Sequence, residues 1–143
     1  MSDVVITPEA PPNSQIANAG GVIALGACVA CQGLSGTLLP AGGSNVIGAF
    51  SVLGIATEPA TLDEAFYYQY TGTIQLTPAQ WEAITDGASG MEPGSIFYAS
   101  PTTPGNLTST KPTASGTYVN VVGVGLSTTL FQIIPAQPVG PHA

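Results

Sequence analysis

Tyr118-Val119-Asn120-Val121-Val122-Gly123-Val124-Gly125-Leu126-Ser127-Thr128-Thr129-Leu130-Phe131-Gln132-Ile133-Ile134 is a run of β-branched and apolar residues interrupted at Gly123 and Gly125. It is too rich in valine and isoleucine, and too often broken by glycine, to read as a helix, so it predicts consecutive short strands. Moving toward the N-terminus, residues 95–100, 65–76, 46–57 and 21–30 have the same character, and Gly, Pro, Ser or Asn clusters bound each of them. Strands separated by turn residues at such short intervals predict an all-β domain closed as a barrel or a sandwich. One segment departs from the pattern. Thr77-Pro78-Ala79-Gln80-Trp81-Glu82-Ala83-Ile84 places a capping Thr, a Pro at the first helical position and a Gln three residues after the cap. This is a capping box, and it predicts a short helix over about 77–85, ended by Asp86-Gly87, with Trp81 and Ile84 on one buried face.

The opening run also has an echo. Laid on the first half at an offset of about 69 residues, Val121-Val122-Gly123-Val124 falls on Val52-Leu53-Gly54-Ile55, and Gly105-Asn106-Leu107 falls on Gly36-Thr37-Leu38. Gly94-Ser95-Ile96-Phe97 likewise matches Gly26-Ala27-Cys28-Val29. Two similar halves closing one core is one reading; chance likeness among Gly/Val-rich strands is the other.

The 143 residues suit one domain, which at this size buries on the order of two-thirds of its unfolded surface. We divide the chain into an extended N-terminal arm at 1–18, a β domain at 19–134 and an extended C-terminal tail at 135–143. Pro8, Pro11 and Pro12 mark the first arm, and Pro135 and Pro138 mark the tail.

Charged residues make up only 6% of the chain, against roughly 25% in a typical domain. Lys111 is its one Lys or Arg, and the formal net charge is −7. No cationic stripe is available to neutralise phosphates, so nucleic acid is not an expected partner. Polybasic attachment to anionic lipid is excluded on the same ground, and no apolar run approaches the roughly 18 residues of a membrane span. The N-terminus lacks a basic start followed by an apolar signal core, which predicts synthesis in a cytosol.

Chemistry has few places to reside. Cys28-Val29-Ala30-Cys31 lies in an apolar strand pattern without the following helix that would activate a redox pair, and residues three apart on a strand point to opposite faces. Cys28 and Cys31 are therefore read, with Trp81, as structural core; redox or disulfide chemistry and metal binding are the alternatives. The sole histidine, His142, stands next to the last residue, a poor scaffold for a triad. Glu58, Asp63 and Glu64 fall in a Pro-containing turn and read as loop solvation rather than paired catalytic acids. We expect no catalytic, cofactor or metal residues, and no enzyme. In Phe66-Tyr67-Tyr68-Gln69-Tyr70, alternation puts Phe66, Tyr68 and Tyr70 on one face and Tyr67 and Gln69 on the other. Tyr67, Tyr68 and Tyr70, together with the arm prolines, are the candidate interface.

A longer pattern runs through the second half. It comprises Gly72-Thr73-Ile74-Gln75-Leu76 leading into the Thr-capped helix with Trp81, then Met91-Glu92-Pro93-Gly94-Ser95-Ile96-Phe97-Tyr98-Ala99-Ser100, Pro104-Gly105-Asn106-Leu107-Thr108 and Val122-Gly123-Val124-Gly125-Leu126-Ser127-Thr128-Thr129-Leu130. This resembles a module of tailed-bacteriophage virion structural proteins, found in capsid cement or decoration proteins and in head or tail fibre proteins. The likeness is close over the second half and loose over residues 20–60. It implies a single small β-barrel or jelly-roll-like sandwich on the outer capsid surface of the virion. There the protein would bridge major capsid protein subunits, associate with itself as a dimer or trimer, and carry no catalytic residues or cofactors. A receptor- or glycan-binding fibre component is the alternative. Either would be made in the host bacterial cytoplasm.

Overall fold

The computed structural model describes residues 12–31, 37–41, 52–86 and 90–140. Its elements in chain order are β1 (Ser14–Asn18), β2 (Cys28–Cys31), β3 (Leu38–Pro40), β4 (Val52–Ala56), β5 (Ala65–Gln69), β6 (Gly72–Gln75), α1 (Pro78–Ile84), β7 (Ile96–Ala99), β8 (Leu107–Thr108), β9 (Val121–Gly125) and β10 (Leu130–Ile133). They form two five-stranded antiparallel sheets, ordered β1-β5-β4-β2-β3 and β6-β10-β9-β7-β8. The expected all-β fold holds. Neither sheet closes into a barrel, and the arrangement is sandwich-like.

Both sheets are built to one plan, because each takes its own five strands in the same order: first, fifth, fourth, second, third. The agreement extends to single residues. Val29/Ala30 and Phe97/Tyr98 are the places where the register slips against β4 and β9. Gly26 and Gly94 both turn with positive φ, at 83° and 81°, and each donates its N–H to the end of the fourth strand, at Ala56 O (2.9 Å) and Gly125 O (2.7 Å). A Cβ on Gly54 would lie 2.1 Å from Gln69 O, and one on Gly123 would lie 2.0 Å from Gln132 O. The repeat read in the sequence is thus a structural repeat, carried by glycines that the tight strand approach demands. Each sheet also curls until its third strand meets the chain beyond its first, through the parallel bridges Ala19 to Leu38 and Thr85 to Leu107.

The helix is what the second half adds between β6 and Thr85. Thr77 caps it, its N–H donating to Gln80 Oε1 (2.9 Å) while its Oγ1 accepts Gln80 N–H (3.2 Å), and Pro78 opens it. It ends one residue earlier than the Asp86-Gly87 stop predicts, since Thr85 must be extended to meet Leu107. Trp81 and Ile84 face inward, as expected. The inner faces of both sheets share one core with Trp81, Phe66, Phe97 and Phe131 at full burial. Phe131 sits between Trp81 and Phe97, with ring centroids 5.6 Å and 5.9 Å away, the latter edge-on at 82°.

The proposed N-terminal arm needs correction where it is described. Residues 14–18 are not an extended arm but β1, hydrogen-bonded to β5 in the register Ser14–Gln69 to Asn18–Ala65. Their polar, weakly patterned sequence hid an edge strand, whose outer side needs no apolar residues. The tail is also tied down: Ala136 N–H donates to Val121 O (3.1 Å), and Val119 and Val139 exchange bonds of 2.8 and 2.9 Å. Pro8 and Pro11 lie outside the described residues, as does His142. Pro12 and Pro135 are exposed, and Pro138 is half-buried.

Candidate functional site: the outer faces and the Asp86 cleft

Strand alternation divides the aromatic run. Phe66 is fully buried; Tyr67 lies on the opposite face, beside Ile16 in the register of β1 and β5. Tyr68 packs against the core, its ring 6.4 Å from Phe66, and burial raises its hydroxyl pKa. Tyr70 follows the strand, partly exposed, with its N–H on Asn13 O (3.0 Å). The three tyrosines therefore do not form one surface. Tyr67 and Tyr70 are available at the first sheet, whereas Tyr68 belongs mainly with the interior.

Cys28 is wholly buried and Cys31 half-buried against the core, and no disulfide joins them. Burial pushes the Cys28 thiol up to about 12, with hydrogen bonding to the backbone opposing it in part. Its Sγ lies 3.8 Å from Ala41 O and 3.7 Å from Asn106 O. A thiol held protonated in this way is a poor nucleophile or metal ligand. Among the described residues no three His, Cys, Asp or Glu side chains gather as a metal cluster. No helix among them is long and apolar enough to cross a membrane.

The loop acids shape their own turn. Glu64 Oε1 accepts both Thr61 Oγ1–H (2.5 Å) and Thr61 N–H (2.7 Å), bonds that lower its carboxyl pKa, and Glu58 Oε1 accepts Tyr67 N–H (3.3 Å).

Sequence reading missed a polar cluster beside a cleft of about 280 Å³ lined by Asp86, Thr102, Thr108, Thr110, Lys111 and Thr117, among others. Ser100 Oγ–H donates to Asp86 Oδ2 (2.6 Å) and Asn106 Nδ2 donates to Oδ1 (3.2 Å). Ser100 Oγ also accepts Thr102 N–H (3.2 Å) and Thr103 N–H (3.0 Å). This is a turn anchor rather than an activated nucleophile, for Ser127 does the same with Thr129 N–H (3.2 Å) and Leu130 N–H (3.0 Å). The shared Ser-x-Thr spacing was the available signal.

Outward, the second sheet presents an uncharged row. Ile96 pairs with Val124, Val124 with Gln132, and Gln132 with Thr73, so one line of side chains crosses four strands. The first sheet shows Ile16 and Tyr67 in the same manner. Such rows can enter a protein contact without desolvating a charge. A scan against protein-family models finds no match. A search of the curated proteins finds none either.

Proposed function

We propose that this chain is a structural virion protein of a tailed bacteriophage, docking on the outside of the capsid and bridging major capsid protein subunits to stabilise the shell. The observation that carries the reading is the pattern from Gly72 to Leu130, a strand, a Thr-capped Trp helix and Gly-turned strands, which resembles the cement and decoration module. The uncharged outer rows support it. A repeated lattice multiplies modest contacts by avidity, so docking needs neither a deep pocket nor strong ion pairs. The duplicated half supports it too, since one chain offers two related units with which to span neighbours. Exposed ion pairs contribute only about 0–1 kcal/mol each, and with one lysine in the chain attachment should persist near 1 M salt, where screening acts beyond about 3 Å. Particles assembled without the protein should release DNA at a lower temperature than complete ones, by dye access during heating. Equal release temperatures would remove the clamping role.

A receptor- or glycan-binding fibre component is the second reading, favoured by the hydroxyl-rich Asp86 cleft. Copy number separates the two: a cement protein needs hundreds per particle, an appendage a few.

A further inference from the structure

The two halves meet head to tail. Cys28 N–H donates to Gly105 O (3.1 Å), and Gly105 N–H donates to Ala41 O (2.7 Å). Gly105, at φ 90°, approaches so closely that a Cβ there would lie 3.0 Å from Pro40 Cβ and 3.3 Å from Ala27 Cβ. A turn of the second half thus seals the start of β2 in the first, leaving Ala27, Cys28 and Ala41 buried.

By register, the counterparts of those residues in the second half are Ser95, Ile96 and Thr110. There the same place is bare: Ile96 is 48% exposed against 0% for Cys28, Thr110 is exposed, and Ser95 is half-buried. The ladder is shorter as well. Ala41 N–H reaches Cys28 O (2.8 Å) beyond the three residues of β3, whereas β8 has two and Thr110 N–H turns to Thr108 Oγ1 (3.1 Å).

We propose that the face around Ile96 is an interface between copies of this chain, on which the first half of a second copy docks as the second half docks on Cys28 within the chain. Repeat units bury their faces on neighbours, and a terminal unit without a polar cap retains an adhesive one. Three observations choose this occupant. The intrachain contact already shows what fits the position. The sequence Gly36-Thr37-Leu38 repeats the Gly105-Asn106-Leu107 that does the covering. The face centres on an apolar pair, Ile96 beside Val124, with the hydroxyls of Ser95 and Thr110 at its edge, and its nearby carboxylate, Glu92, is bonded to Ser95 Oγ (3.1 Å). A head-to-tail contact of this kind closes a ring of copies when the rotation permits. Because each chain carries −7, salt should strengthen the association by screening self-repulsion. The inference stands without the virion reading; where both hold, the second copy takes the Ile96 and Val124 end of the outer row, and Gln132, Thr73, Ile16 and Tyr67 remain for a capsid.

Sedimentation velocity of the full chain over a concentration series tests it. The wild type should form a discrete oligomer, more so as salt rises, and Ile96→Glu should yield monomers with unchanged circular dichroism. In a Cys31→Ser background, oxidising a mixture of the Thr37→Cys and Ile96→Cys proteins should give a disulfide-linked heterodimer. This arm stands even if Ile96→Glu fails to fold. A wild type that remains monomeric throughout, with no linked product, overturns the proposal. So does a monomer whose binding to capsid shells is abolished by Ile96→Glu, since that assigns the face to another protein.

Discussion

Trp81 Nε1–H donates to the carbonyl oxygen of Thr129 at 2.8 Å, and that oxygen also accepts the Leu76 N–H at 3.0 Å. The helix is thereby fastened to the chain just before β10, with the indole against Phe131. Thr129 O keeps its Leu76 partner if the indole is removed, so Trp81→Phe loses one bond and some packing, about 1–2 kcal/mol. Trp81→Ala leaves a cavity and should cost about 3–5 kcal/mol. Urea unfolding measures both, and a Trp81→Ala protein as stable as the wild type would contradict the core role of Trp81.

Gly54 and Gly123 should respond alike to alanine. At each, the new Cβ meets a backbone oxygen near 2 Å, which no side-chain rotation relieves. Each substitution should cost roughly 3 kcal/mol or more, at the upper end of overpacking effects. Gly94 is the control: it has open space around it but φ of 81°, so Gly94→Ala should cost only about 1–2 kcal/mol. The reverse order in denaturation midpoints would mean that the duplicated close approach is not structural.

Cys28 predicts an alkaline weakness. Its folded thiol titrates near 12 against 9.0 for the free group, so the protonated form is favoured in the fold. Below pH 9 both states hold the proton and stability is unaffected. Between about 9 and 12 the unfolded state ionises while the folded one does not, and stability falls by up to about 1.4 kcal/mol per pH unit. Tyr68, raised in the same direction, adds to the loss from its ordinary value of 10.0 upward. Stability of Cys28→Ala should decline less steeply from pH 9 to 11 than that of the wild type, and parallel declines would refute the assignment. A maleimide should label native Cys28 only upon unfolding.

Truncation after Ile134 should weaken the fold rather than merely trim it. Three backbone bonds join Ala136 and Val139 to Val121 and Val119, and their loss should cost about 1–3 kcal/mol in thermal or urea unfolding. An unchanged midpoint would mean that residues 135–143 add nothing to the stability of the fold.

Local signals in the sequence determined a good deal of this protein. Thr77, Pro78 and Gln80 specify the helix start because a capping box is satisfied within four residues, and the Gly26/Gly94 and Gly54/Gly123 pairs announce the repeat because only glycine suits their backbone or spacing. The buried roles of Trp81 and Cys28 were legible from their apolar surroundings. Tertiary structure alone decided what depends on distant partners. β1 exists because β5 supplies its hydrogen bonds, which no pattern within Ser14–Asn18 encodes. Alternation already separated Tyr67 from Tyr68, but which of the two turns to the core was decided where β5 packs, and there it is Tyr68. Cys28 and Ile96 occupy equivalent positions, yet one is sealed and the other bare, because the Gly105 turn covers only the first; burial at a strand position is set by what packs across it, and that residue lies far along the chain.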